Sequence, residues 1–451
     1  METHKDFTKG RIIGPLFGFA GPILFALFLQ AMYGAIDLAV VGRFGTSVDV
    51  SAVSTGSQIM STITYMICAF AMGTTVTLGQ KLGEGKAKEG GRIIGASIVL
   101  FLAIGLVMTV LVPVCAGGLA GLMNAPDEAL SETVAYIRIC GVGSIVIIAY
   151  NLIGSIFRGL GDSRTPLITV AIACVCNILG DLLFVAVFGM GTRGAAIATV
   201  IAQAVSVLIS FQIIRRTKLP FEFSRDQIRP DGAITKKVAS VGVPLALQDF
   251  ILGMSFLIIL AIVNSLGLVA SAGVGVASKV SSFIMLVPSS FSQPMSAFTA
   301  QNYGAKQYGR AVRSLWYAIG TSTILGVALF YLAFFHGDLL VGIFSGDPEV
   351  IAAAADYLKA YAIDCIFTCF LFCFTGFFNG IGATKFVMVQ GIASAFLVRI
   401  PIAWYMSFQE PVSLFHIGLG IPISTVVQIG LCFCCYFWVL RQKLKAPAGE
   451  N

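Results

Sequence analysis

Gln80, Gly83 and Arg92 return 221 residues later as Gln301, Gly304 and Arg313. Tyr136 returns as Tyr357, and Phe157, Gly159 and Gly161 return as Phe378, Gly380 and Gly382. Basic Arg138 and Arg164 are matched by Lys359 and Lys385, while Pro22/Pro244 and Gly45/Gly267 agree at an offset of 222. Self-similarity at one fixed period means two copies of a folding unit. In a membrane chain, it points to a two-lobed transporter with its site within or between the lobes.

The membrane assignment follows from composition. Of 451 residues, 57% are hydrophobic and only 11% charged, where a soluble chain carries roughly a quarter charged. Twelve apolar stretches approach or exceed the ~20 residues needed to cross a bilayer core. They lie near 12–41, 50–80, 93–115, 133–157, 165–188, 191–216, 236–265, 270–301, 313–336, 351–378, 385–408 and 414–440. The first is too long for a cleaved signal and reads as a retained helix. The expected class is an all-α polytopic protein of twelve transmembrane helices in two pseudo-symmetric six-helix bundles. The lobes are 1–214 and 237–451, joined by a polar linker over 215–236 that would let them rock. Six spans return the chain to its starting side, so the repeats run parallel rather than inverted.

Charge sets the orientation. The N-terminus, 81–92, 158–164, 215–237, 302–313, 379–385 and the C-terminus hold 23 of the 29 Lys and Arg. The opposite loops hold only Arg43 and Arg193, beside acids such as Asp127, Glu128, Asp338, Asp347 and Glu349. The positive-inside rule then places both termini in the cytoplasm of a multi-pass cell (inner) membrane protein. The net charge of +7, including the run Arg215-Arg216-Thr217-Lys218, is topogenic rather than a sign of nucleic acid. Cys365, Cys369 and Cys373 share a helix face and read as small packing residues rather than soft-metal ligands. Gly14-Pro15, Gly21-Pro22 and Pro244 suggest bent or hinged helices.

Acids inside spans are the strongest site signal, because a carboxylate at the bilayer centre costs ~2.5–3.5 kcal/mol on insertion scales. Asp37, Asp181, Asp249 and Asp364 qualify. Asn177 precedes Asp181 by one helical turn, as Tyr33 precedes Asp37, so each pair shares a face. Thr199 sits among small residues (Gly194, Ala195, Ala196, Ala198) that allow close packing, and Asn151 adds an amide. Converged, these oxygens suit a hard cation. They would equally manage a proton, since two adjoining carboxylates in a low dielectric titrate as a unit. The cluster belongs to one repeat: Asp37, Asn177 and Asp181 are matched by Ile259, Val398 and Ile402, and only Thr199 keeps a counterpart, Thr425. In the second half, Lys279 and Arg399 are candidates to neutralise Asp249 or Asp364, giving a possible second polar site. Tyr65, Met66, Met72, Met254, Met285 and Met295 are candidates for a pliable cavity wall.

Several segments resemble the MATE proteins, the multidrug and toxic-compound extrusion transporters. They are QAMYGAIDLAVVGRFG (30–45), MGTTVTLGQKLGEGK (72–86), FRGLGDSRTPLITVAIACVCNILGDLLF (157–184) and GAAIATVIAQ (194–203), then AQNYGA (300–305) and FNGIGATK (378–385). Their order and placement over residues 12–440 carry the resemblance, which looks closest to the DinF-like branch. It implies efflux of small organic, often cationic, compounds by antiport against Na+ or H+, from a monomer in the bilayer with no cofactor. Residues matching Asp37, Asn177, Asp181 and Thr199 resemble that family's cation or proton site in the N-terminal bundle, with Tyr33 and Asn151 around it. A lipid or lipid-linked-sugar flippase of the same superfamily is the alternative, though basic residues within spans are few. An enzyme is not expected: there is no DDxxD, and His4, His336 and His416 lie at ends or loops. A channel is a third rival.

Overall fold

The structure, a computed structural model, describes residues 6–216, 219–221 and 223–445, the last seven by backbone alone. His4 and the Thr217-Lys218 end of the basic run lie outside the described residues. The described residues are almost wholly helical. The first half comprises α1 (Ile13–Phe44), α2 (Ser47–Gly83), α3 (Gly90–Leu122), α4 (Asp127–Val142), α5 (Ser144–Gly159), α6 (Arg164–Asp181) and α7 (Gly191–Arg216). The second half begins with α8 (Gly232–Asn264), α9 (Leu268–Ile284), α10 (Leu286–Gly304), α11 (Tyr308–Phe335) and α12 (Gly337–Gly342). It ends with α13 (Pro348–Gly380), α14 (Thr384–Ser394), α15 (Ile400–Met406), α16 (Leu414–Gly418) and α17 (Gly420–Lys445). Among the described residues, ten stretches are long and apolar enough to span a membrane, and two bent pairs bring the number to twelve.

Two helix breaks fall where the sequence marks no hinge. Pro22 and Pro244 lie inside continuous α1 and α8. The breaks separate α4 from α5, bent by 54°, and α9 from α10, bent by 42°. Gly143 sits at the first break against Val200, where a Cβ would come within 2.6 Å of the valine side chain. The repeats are therefore not bent alike. The bent α4–α5 pair corresponds to unbroken α13, and the bent α9–α10 pair to unbroken α2. A methyl group on Gly14 or Gly21 would meet nothing within 4 Å, so close packing does not account for these α1 glycines.

Two compact units emerge from the contacts. The first contains residues up to Asp249 together with Ser296–Ala311 and Asn379–Thr384; the second holds Phe250–Met295, Val312–Phe378 and the residues from Lys385 on. The first unit thus includes the end of α10 and the α13–α14 turn, and a reciprocal junction holds them. Gln80 Nε2 donates to the Gly380 carbonyl (2.9 Å), and Gln301 Nε2 donates to the Gly159 carbonyl (3.3 Å). These are the same bond written twice, once from each repeat. Gly83 lies on the Gln301 carbonyl, and Gly304 lies on the Gln80 carbonyl, each so close that a Cβ would overlap the oxygen. The chain start joins in. The Phe7 amide donates to Gln301 Oε1 (3.1 Å), and Arg310 donates to the carbonyls of Phe7 and Lys9 (both 2.9 Å) and of Gly10 (2.7 Å). Phe7 stacks on Phe298 and meets Phe19 edge-on.

The linker is held down along α3. Phe221 covers Gly90, and Gly95 leaves room for the Gln227 carbonyl. Asp231 caps α8 by accepting from the amides of Ala233 (3.0 Å) and Ile234 (3.1 Å), and it pairs with Arg92 (2.7 Å). The Ile234 amide first, then Arg92, holds the Asp231 carboxyl below the usual carboxylate range. A group with a depressed folded pKa contributes above its unfolded value and loses that contribution as pH falls through the folded value. Protection of the Ala233 and Ile234 amides relative to their unstructured exchange rates is therefore expected to persist down to about pH 4, the ordinary Asp value, and to fall only below it. In Asp231→Ala, that protection should be low at every pH. Equal protection in the variant would show that the cap does not hold the helix start.

In the second unit, Cys365, Cys369 and Cys373 are fully buried. Cys369 Sγ donates to the Ser322 carbonyl (3.2 Å) of α11, and Gly326 makes room for the same sulfur. This is the packing stripe expected from their four-residue spacing.

Candidate functional site

The site is built on α1, α6 and α7. Helices α6 and α7 pack closely because Gly180 faces Ala198, where a Cβ would stand 2.9 Å from the alanine methyl. Ser206 Oγ fastens the same pair by donating to the Thr169 carbonyl (2.9 Å). That approach brings Asn177 Nδ2 to Thr199 Oγ1 (3.4 Å), while Thr199 donates its own hydroxyl to the Ala195 carbonyl (3.0 Å). Directly after Asp181, the helix widens into a π segment over Leu182–Val187, closed by a bond from the Phe188 amide to the Leu183 carbonyl (3.0 Å). Such wide turns recur at functional sites.

Asp37 of α1 completes the group. Its carboxylate adjoins Asp181, Asn177 and Thr199 at hydrogen-bonding range. Asp37 is 5% exposed, Asn177 2% and Asp181 0%. Asp37 Oδ1, Asn177 Oδ1 and both Asp181 oxygens have no hydrogen-bond partner among the described residues. Buried polar atoms are almost always paired, so unpaired acceptors on three adjoining side chains suit a positive partner. Oxygen donors of this kind fit a hard monovalent cation, and the two adjoining carboxylates equally fit a shared proton.

The neighbouring cavity sets a size limit. It is lined by Tyr33, Tyr150, Asn177, Thr199 and Gln203, with Val170, Ala173 and Ala202, and its volume is about 10 Å³. That is close to the space of one water molecule. It can hold a small ion but no organic compound. A separate cavity of about 240 Å³, walled by side chains such as Phe101, Ile148, Leu152 and Phe211, has no ionisable lining residue.

Tyr33 stands where the sequence placed it, beside Asp37 and on the cavity wall. Asn151 does not. Its Nδ2 donates to the Ile147 carbonyl of its own helix (2.8 Å), and the adjacent Tyr150 faces the cavity instead. One helical position turns a side chain by about 100°, enough to exchange the two. Tyr136, which sequence reasoning used only as a repeat marker, is 3% exposed and lies within hydrogen-bonding range of Thr199, in the field of Asp37. Gly56 makes room for its ring.

The four second-half candidates separate. Asp364 and Arg399 act on one another. Asp249 and Lys279 are both exposed and neither forms an ion pair among the described residues. The methionine wall is also corrected: Met72 and Met295 are 8% and 0% exposed and belong to helix packing, whereas Tyr65 and Met254 are exposed.

A family model described as MatE matches residues 22–183 and again residues 244–405. The two matches begin at the Pro22/Pro244 correspondence. The probable multidrug resistance protein YpnP of Bacillus subtilis is 28% identical over 432 residues, covering 96% of either chain. The probable multidrug resistance protein NorM of Thermotoga maritima is 25% identical, covering 89% of this chain and 86% of its own. A crystal structure of MATE in the straight conformation superposes with a TM-score of 0.91 at 18% identity, over 98% of this chain and 100% of its own, a shared fold.

Proposed function

The chain belongs to the MatE family, and on that premise we propose that it is a secondary active multidrug efflux transporter. It exports small organic, often cationic, compounds in exchange for Na+ or H+. Asp37, Asn177, Asp181 and Thr199 take the coupling ion, and Tyr33 and Tyr136 buttress them. The observation that carries this reading is the set of four buried oxygens on Asp37, Asn177 and Asp181 with no hydrogen-bond partner among the described residues. Two relatives, YpnP and NorM, are themselves named probable multidrug resistance proteins, which favours drugs over lipid-linked sugars as cargo. The Lys/Arg-rich loops favour a cell-membrane protein with both termini in the cytoplasm. Monomeric function and the DinF-like branch remain expectations of the sequence resemblance.

The mechanism is alternating access. The Gln80/Gly380 and Gln301/Gly159 bonds are read as a gate shut on the cytoplasmic side, at the Lys/Arg-rich ends of the spans. Loading of the ion at Asp37 and Asp181, assisted by bending of α1 near Gly14–Pro22, favours the state that releases substrate. Each ligand shifts this equilibrium only by its differential affinity for the two states. In proteoliposomes, efflux across a panel of organic cations is expected to rise when a Na+ or a proton gradient is imposed separately. Efflux indifferent to both gradients would rule out antiport. A continuous conductance in planar bilayers would favour a channel.

A further inference from the structure

The second unit contains a cluster that repeats the first with its polarity changed. Arg399 is buried, 6% exposed, and ends a π segment over Ala395–Arg399. Its guanidinium lies over the Phe256 ring, 4.7 Å from the centroid, and Nη1 makes one long bond to Ser255 Oγ (3.4 Å). Asp364, 5% exposed, lies in the field of that charge. Asp364 Oδ2 accepts from Thr368 (2.9 Å), and Thr425 is within hydrogen-bonding range of the same carboxylate. Tyr357 and Tyr361 are the other titratable groups in the field of Arg399, and Tyr361 reaches Ser278.

The repeat offset makes the correspondence explicit. Arg399 follows Val398, the counterpart of Asn177, on the helix that matches α6. Tyr357 stands for Tyr136 at the same offset, and Thr425 stands for Thr199 after a five-residue drift. Thr199 adjoins Asp37; Thr425 adjoins Asp364. The two clusters thus share a threonine and a tyrosine, but Asp364 falls opposite Gly143 rather than Asp37, and the fifth span supplies an acid in the first repeat and a base in the second. The pair is not locked together as a purely architectural ion pair would be: among the described residues no ion pair within 4.0 Å joins the two, and Arg399 Nε and Asp364 Oδ1 both lack a hydrogen-bond partner.

We infer that Arg399 is a tethered cation, filling in the second repeat the role that a mobile ion fills at Asp37 and Asp181. Guanidinium is charged at any working pH, so Asp364 is compensated permanently and takes up no ion during transport. Coupling then runs through the first repeat alone. This rests on the reading of Asp37 and Asp181 as the ion site. Removing the guanidinium leaves a buried carboxylate uncompensated, which is strongly unfavourable, and Asp364 must then recruit Na+ or H+.

The test counts saturable ions on purified protein in nanodiscs, with radioactive sodium for Na+ and potentiometric titration for H+. Arg399→Leu should raise the count by about one equivalent over the unsubstituted protein. That extra equivalent should survive Asp37→Asn and vanish in Asp364→Asn/Arg399→Leu. Arg399→Lys, which keeps the charge, should leave the count unchanged. The double variant, with both charges gone, should melt closer to the unsubstituted protein than Arg399→Leu does. If Arg399→Leu is too unstable to count, the melting arm moves to Asp364→Asn alone, which should be rescued by adding Arg399→Leu. No added equivalent in a folded Arg399→Leu protein, an added one that persists without Asp364, or no rescue in the double variant overturns the inference. Failure of the underlying reading looks different: Asp37→Asn would leave the original count intact.

Discussion

Replacing Asp37 and Asp181 together by Asn is expected to abolish gradient-driven efflux while leaving a folded membrane protein. Both side chains are buried, and three of their four carboxylate oxygens have no hydrogen-bond partner among the described residues. The amide is nearly isosteric and removes the charge, so helix packing through Gly180 and Ala198 is undisturbed. What is lost is the means of holding a cation or proton. A coupling free energy of ~1–3 kcal/mol is a factor of about 5–150 in affinity. Stimulation of efflux by an imposed gradient should fall by a factor in that range, to the level of passive leak. Undiminished coupled efflux from the double variant would remove the site assignment while leaving the family membership untouched.

The second large effect is expected at the reciprocal junction. Gly83→Leu places a side chain where the Gln301 carbonyl already stands, and Gly304→Leu does the same at Gln80. The obstacle is backbone, which cannot rotate away as a side chain can. Overpacking of this kind costs ~1–3 kcal/mol or more, about 5- to 150-fold in the population of the closed junction. Spin labels on Lys86 and Lys306, both exposed, report the change without touching the contact itself. Either variant should lengthen and broaden the distance between labels, and turnover should fall because the cycle cannot pass through the closed state. A glycine substitution that keeps both the short distance and full turnover would show that the junction is not a gate. Substituting Gly117 or Gly118, where a Cβ meets nothing within 4 Å, serves as the control.

The duplication, up to twelve crossings and the pairing of Asn177 with Asp181 and of Tyr33 with Asp37 on single helix faces are readable from residue types and spacing; the grouping of Asp37 with Asn177, Asp181 and Thr199 is what the family resemblance implies. Period-based reasoning works there because helical neighbours at one-turn spacing share a face whatever surrounds them. It failed where the outcome depends on tertiary contact. Pro22 and Pro244 are strong local breakers, yet α1 and α8 continue through them. The first break lies instead beside Gly143, which needs Val200 of another helix to explain it. Asn151 and Tyr150 differ by one position, and only packing decides which of them faces the cavity. Tyr136 was hidden by its own regularity: a residue present in both repeats reads as scaffold, although the two copies stand beside differently charged clusters. The Gln80 and Gln301 bonds were likewise visible only as repeat landmarks until each was seen to reach the other repeat's glycine.

The central claim is that ion loading at Asp37 and Asp181 and substrate binding oppose one another. Linkage makes this measurable without transport, because an ion that weakens substrate binding must have its own binding weakened by substrate to the same degree. The direct measurement is the dissociation constant of a fluorescent organic cation in nanodiscs, titrated against Na+ at fixed pH and against pH without Na+. The account predicts a constant that rises with one of these ions in the unsubstituted protein and is flat in Asp37→Asn/Asp181→Asn. A constant indifferent to both ions in the unsubstituted protein, or equally responsive in the double variant, would contradict it.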